Sequence, residues 1–197
     1  DGLRDLVRSR WLGDVDKRQV CAYPLESPGH GDRTIDSDDF NPEASPFGWH
    51  DTNGQPGAEH TITRGNNVHA WPDRAGNGSS SGDEPDGGSS LIFDFDFDPT
   101  QEPIENLDMA TTNLFYFNNI MHDFTYAYGF DEVSGNFQFN NYEKGGLGND
   151  DVEALAQFGG GQGEFVDNAN FGTPPDGGNG RMTVSYTHLT LPTSGRE

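Results

Sequence analysis

The six histidines, His30, His50, His60, His69, His122 and His188, are the first residues to weigh for chemistry. No two of them stand four apart, so the H-E-x-x-H pair that seats zinc on one helical face is absent. The one cysteine, Cys21, excludes thiolate clusters and an internal disulfide. There is no G-x-S-x-G elbow and no phosphate loop ending in Gly-Lys-Ser/Thr. GGGQG at 159–163 lacks the strand–helix setting and acidic partner of a dinucleotide site. Asp94, Asp96 and Asp98 take the first, third and fifth places of a calcium loop, with Glu105 at the twelfth. Pro99, however, holds the sixth place, where that loop requires glycine. These aspartates therefore read as the acidic face of a strand, and the Asp83–Asp86 cluster as solvated loop carboxylates.

His122-Asp123 pairs a base with an acid. Neighbours in sequence do not face each other on a helix, so His122 reads as a buried, hydrogen-bonded structural residue. Asn168-Ala169-Asn170-Phe171 offers more. A small residue between two carboxamides in extended chain leaves backbone groups free at a sheet edge, where a peptide can add as a strand. The same asparagines also suit a turn.

The elements that must position these residues follow from periodicity. Leu114, Phe117, Met121, Phe124 and Tyr128 recur at spacings of 3, 4, 3 and 4. This predicts a helix over about 108–128, with that stripe facing the core and Gly129 as its stop. Leu91–Pro99 alternates Phe with Asp and predicts a half-buried strand. Thr61-Ile62-Thr63 reads as a short strand and Gly65-Asn66-Asn67 as a turn holding positive φ. Residues 151–158 read as a strand, 167–172 as extended chain, and 181–183 as the start of a further strand. The stretch 73–90 is low in complexity and long for a compact domain, so it is either mobile or tied by something bound. Residues 1–20, with Leu3, Leu6 and Val7 on one side, suit a short amphipathic helix.

Composition limits the rest. Thirty-three acidic residues against 11 Lys and Arg set a net charge of −22 over 197 residues. Such a surface repels phosphate backbones and argues against nucleic-acid binding. No run approaches the about 20 apolar residues of a bilayer span. Aromatic content of 12% supplies a core that a disordered chain would lack.

Longer blocks carry a resemblance. ASPFGWHDTNG at 44–54, TRGNNVHA at 63–70, ATTNLFYFNNIMHDFTYAYGF at 110–130, GNFQFNNYEKGGLGNDDV at 135–152 and NANFGTPPDGGNGRM at 168–182 are, in order, similar to the fungalysin family. These are secreted zinc metallopeptidases related to thermolysin, and the similarity spans about 23–183. The resemblance implies an α+β fold: the β-rich amino-terminal part of a thermolysin-like metallopeptidase domain around one long central helix. It implies a secreted, extracellular endopeptidase, made as a zymogen with an amino-terminal propeptide, that hydrolyses protein or peptide substrates by zinc-activated water.

Zinc is the implied cofactor, and calcium is carried as a further candidate ion. The family's zinc motif follows the block that Gly180-Arg181-Met182 matches, so its ligands and catalytic Glu are expected downstream and this chain alone is expected to be inactive. Asn168 and Ala169 match the edge-strand pair that hydrogen-bonds substrate backbone. Asn170 lies between them and Phe171, which stands where the family has an aromatic beside the cleft. Asp167 replaces the family's usual Asn. Residues 1–22 are expected to be a propeptide end or junction, 23–183 the catalytic-domain part, and 184–197 a non-native, sequencing-adapter-like tail. An alternative from another class is a non-enzymatic extracellular module that binds calcium or peptides.

Overall fold

Leu107–Ala127 has no proline or glycine in its 21 residues and forms a single helix, α1. A 3-10 turn at Pro103–Asn106 leads into it, with proline at the start, where its missing N–H costs least. The helix ends on a left-handed glycine. Gly129 takes φ +95°, its N–H reaches Tyr126 O at 2.9 Å, and the Phe130 N–H reaches Thr125 O at 3.1 Å. The computed structural model describes residues 17–25, 31–36, 40–162 and 168–185, and all that follows concerns these.

Seven strands accompany the helix: β1 (Lys17–Val20), β2 (Thr34–Asp36), β3 (Val68–Pro72), β4 (Ile92–Phe93), β5 (Val152–Ala156), β6 (Ala169–Gly172) and β7 (Arg181–Val184). They form two sheets, ordered β2-β1-β4 and β3-β5-β7-β6. In the larger sheet β3, β5 and β7 run parallel, and β6 closes one edge antiparallel to β7. The fold is thus α+β, with mixed sheets around one long helix.

The core lies between α1 and the larger sheet. Val68, Ala70, Phe115, Tyr116, Val152 and Ala154 meet there, joined by Val20 and Trp49. Arg18 of β1 is buried, with its guanidinium 4.1 Å over the Trp49 ring. Leu155 breaks the alternation of β5, yet it is fully buried, because a central parallel strand is covered on both faces.

Several expectations are corrected. The helical stripe is inverted in its second half: Met121, Phe124 and Tyr128 are 54%, 57% and 80% exposed. The buried side instead carries Thr112, Tyr116, Asn119 and Asp123. The Phe/Asp strand shrinks to Ile92–Phe93. Beyond it, Phe95 and Phe97 stay half-buried while Asp94, Asp96 and Asp98 face solvent, so the period of two persists without a pairing partner. Thr61–Thr63 forms an isolated bridge, Ile62 to Asp86, rather than a strand. Its neighbour there includes Pro85, which has no N–H for a ladder.

Gly65 is needed for close approach rather than for positive φ, since a Cβ on it would lie 1.5 Å from Trp49 O. The stretch 73–90 is tied by hydrogen bonds within itself and to Thr61–Thr63. Asp73 accepts from the Asn77 and Gly78 N–H groups, and Thr63 N–H donates to Pro85 O. Of the helix expected within 1–20, residues 1–16 lie outside the described residues, and Lys17–Val20 is strand. Residues 186–197 also lie outside them, while Val184 pairs with Ala156 and Ala169.

Candidate functional site

The edge strand β6 presents the segment singled out from sequence. Its register on β7 sets Ala169 opposite Val184 and Phe171 opposite Met182. Ser185 N–H donates to Asn168 O at 2.7 Å, which makes 168 and 185 a hydrogen-bonded pair. Antiparallel pairs alternate between bonded and non-bonded. Asn170 and Gly172 therefore bond inward to β7, and the N–H and C=O groups of Ala169 and Phe171 point to the free edge. Asn168 and Asn170 are exposed, and their carboxamides make no hydrogen bond among the described residues.

Phe171 is held from behind. Its ring meets Phe137 edge-on at 5.8 Å, and Phe137 meets Phe130 at 6.0 Å. Gly180 leaves room for this seat, because a Cβ there would come within 3.0 Å of the Phe171 ring and 3.2 Å of Phe137. The result is an exposed strand edge with two free carboxamides and a packed aromatic at one end.

A second polar centre lies on α1. Asp123 is buried and accepts from Asn41 N–H at 2.7 Å, Ser45 Oγ at 2.9 Å and Trp49 Nε1 at 3.0 Å. His122 Nδ1 lies 2.9 Å from Asp123 Oδ1. Adjacent residues on the helix therefore do meet here, because both side chains bend to the same side. Asn136 Nδ2 stands 3.3 Å from His122 Nε2. With Nε2 accepting, the proton belongs on Nδ1, where it donates to Asp123. The chain of bonds continues from Asn136 to Gln138 at 3.0 Å and from Gln138 to Ala44 O at 3.2 Å. Asn67 ties Ser45 and Asn119 together at 3.0 and 3.1 Å. This network is enclosed and pins the 41–50 segment against the helix, so it offers no open reaction site; the Asn67 and Asn136 Oδ1 atoms have no partner among the described residues.

Sequence reasoning weighed His122 and Asp123 but missed Ser45, Trp49, Asn67, Asn119 and Gln138. Only Asn119 had a local signal, as a polar residue at helical spacing from Asp123; Ser45, Trp49, Asn67 and Gln138 come from other segments and had none.

Other titratable groups serve the fold. His69 Nε2 lies 2.8 Å from Glu84 Oε1, which also accepts from Ser80 Oγ at 2.6 Å. Burial lowers the His69 pKa, and the Glu84 hydrogen bond opposes that shift. Asp83 accepts from Ser81 and Asp86 from the Gly88 N–H, so these carboxylates are used within their own loop. Asp151 is pushed up to about 6 by burial, with the Arg64 charge acting against it. Among the described residues no group of three or more His, Cys, Asp or Glu is placed to hold a metal ion, so they do not fit a zinc centre. Among the same residues no helix is long and apolar enough to cross a membrane.

Comparison with known proteins agrees with the blocks read from sequence. The family model described as fungalysin metallopeptidase (M36) matches residues 17–194. The chain is 41% identical over 174 residues to extracellular metalloproteinase 2 of Trichophyton tonsurans, covering 87% of this chain and 26% of that protein. The same protein of Arthroderma benhamiae matches with the same figures, 41% identity, 87% and 26%. Extracellular metalloproteinase 5 of Trichophyton tonsurans is 39% identical over 166 residues, 84% of this chain and 26% of that protein. The chain thus spans about a quarter of the length of the curated relatives it matches. A match that starts at β1, runs through α1 and passes the β6 edge leaves one conclusion: the chain belongs to the fungalysin family of metallopeptidases.

Proposed function

We propose that this chain is the amino-terminal part of the catalytic domain of a secreted, thermolysin-like zinc endopeptidase, in which the free edge of β6 holds the substrate backbone. The observation that carries this reading is the pair of residues Ala169 and Phe171, whose N–H and C=O groups face outward from an edge strand. An extended peptide added there gains backbone hydrogen bonds that are indifferent to its sequence. The Asn168 carboxamide adds a donor and an acceptor at the start of the strand. Phe171 then supplies an apolar wall for one substrate side chain, on the face where Phe137 holds it.

The zinc and the activated water belong to the whole protein. No step of that chemistry is assigned to these residues, and its ligands are placed in a later segment. The exposed stripe Met121, Phe124 and Tyr128 supports the same reading, since an apolar patch on a soluble protein usually meets another surface. We assign its cover to the remaining part of the longer protein. A propeptide preceding the domain and protein substrates outside the cell complete the reading.

The test joins this chain to the rest of its reading frame. The purified long product should cleave casein, lose that activity to a zinc chelator and recover it on zinc addition. The 197-residue chain alone should do neither. Cleavage by the short chain would overturn the placement of the zinc site, and an inactive, folded, zinc-loaded long product would overturn the enzyme reading. In the long product, Asn168→Ala should lower kcat/KM about tenfold or more, the loss of about one or two substrate hydrogen bonds.

A further inference from the structure

Of all the asparagines in the chain, only Asn77 is followed by the pattern x-Ser/Thr, as Asn77-Gly78-Ser79. That tripeptide is the acceptor for N-linked glycan in proteins that enter a secretory lumen. The structure gives it the placement a carrier site needs. Asn77 and Ser79 are exposed, in the tied loop that follows β3. Asn77 Oδ1 accepts from Ser79 N–H at 2.9 Å, a turn that brings the amide and the hydroxyl to the same side. Asp73 fixes the base of that turn by accepting from Asn77 N–H at 3.1 Å and Gly78 N–H at 2.6 Å. With Oδ1 so engaged, Asn77 Nδ2 and Ser79 Oγ make no hydrogen bond among the described residues and open to solvent.

The middle residue is forced as well. Gly78 takes φ +75°, and a Cβ there would come within 2.9 Å of Arg181 Nη1. Arg181 pairs with Glu153 across β7 and β5. Met182, one residue on, turns to the helix, where Asn118 Nδ2 lies 3.4 Å from its sulfur. Alternation along β7 therefore puts Arg181, and Asn77 above it, on the sheet face away from α1. A sugar on Asn77 therefore lies on the face opposite the helix.

We propose that Asn77 is an N-glycosylation site. In the transfer, Nδ2 attacks C1 of a lipid-diphosphate-linked oligosaccharide. The C1–N bond forms and the C1–O bond to the diphosphate breaks. The lipid diphosphate leaves with that electron pair, and one Nδ2 proton passes to a base of the transferase. The inference rests on the extracellular reading above, because only a chain that enters the lumen meets the transferase.

The experiment expresses the full 197-residue chain in yeast behind a heterologous leader, with a second acceptor tripeptide appended as a reporter of lumenal entry. Occupancy at Asn77 is read only on molecules whose reporter carries sugar. Treatment with a glycan-removing amidase in heavy-oxygen water should leave labelled Asp at position 77. Asn77→Gln and Ser79→Ala should each abolish that label, and Ser79→Thr should keep or raise it. Molecules with a glycosylated reporter and unlabelled Asn77 overturn the proposal. Label that survives Ser79→Ala overturns it too. Export of the long product by its own leader is scored separately. Its absence from the medium would strike the extracellular reading and leave the Asn77 result standing.

Discussion

The two sides of α1 are made of the wrong residues for their places. The buried side carries Thr112, Asn119 and Asp123 around Tyr116, while Met121, Phe124 and Tyr128 lie in solvent. A polar stripe can be buried when its donors and acceptors find partners; here Asn119 and Asp123 reach partners far away in sequence, while the Thr112 hydroxyl has none among the described residues. Asp123 meets Ser45 and Trp49, and Asn119 meets Asn67. The apolar stripe is exposed because the described residues place no element over that side of the helix's second half. Periodicity locates a helix, but the surroundings decide which side is inside.

The largest effect should come from emptying the polar side. Asp123→Ala leaves the Trp49 indole N–H, the Ser45 hydroxyl and the His122 N–H without their acceptor in an enclosed site. Unpaired buried groups cost about 1–3 kcal/mol each, so the loss should approach about 4 kcal/mol, less whatever water can enter. Asp123→Asn keeps the shape and part of the acceptance, and should lose about half as much. Urea unfolding followed by tryptophan fluorescence reads both. If the two variants unfold together at the wild-type midpoint, the network does not support the fold.

Asp151 sharpens the contrast between buried carboxylates. Asp123 has four close donors, whereas Asp151 has a 3.3 Å contact from Asn179 and the more distant charge of Arg64. Its folded pKa is raised to about 6 by burial. Between the ordinary carboxyl value and about 6, the folded chain holds a proton that the unfolded chain has lost. Stability from this group is therefore full at low pH and falls as pH rises through that window. Asp151→Asn should flatten the slope there and raise stability at pH 7, by up to about 3 kcal/mol. Unfolding midpoints measured from pH 4 to 7 decide it, and an unchanged slope would show that Asp151 ionises normally.

How much of this was legible beforehand depends on the range of the interactions. The limits of α1, its glycine stop, the strands at β5 and β7 and the edge at β6 all rest on local pattern, and each could be read from consecutive residues. The Asp123 network could not, because its bonded members lie up to 94 residues apart, as Ala44 and Gln138 do. Gly65 was recognised as special for the wrong reason: its neighbour, Trp49 O, comes from another segment. The Phe/Asp stretch kept its alternation but not its ladder, since pairing needs a second strand that no single segment specifies. At the candidate site, Asn168–Phe171 could be read locally as extended chain, but the same asparagines also suit a turn, and the family resemblance rather than the residues themselves singled the segment out. The seat of Phe171 on Phe137 and Gly180 could not, because it joins three separate segments.

The smallest effect should come from the apolar side. Met121→Gln and Phe124→Gln remove side chains that are already more than half in water, so each should shift stability by no more than about 0.5 kcal/mol. Phe115→Ala, one turn and a half earlier and fully buried, should instead cost about 3–5 kcal/mol. The exposed pair should act on a different observable. If the stripe is an uncovered surface, the double variant should bind less hydrophobic dye and aggregate less in the short chain. In the long product, where the rest of the protein is proposed to cover it, the same double variant should lose stability. Equal, negligible effects in both would mean that the stripe stays in solvent throughout, and its cover by the later segment would have to be given up.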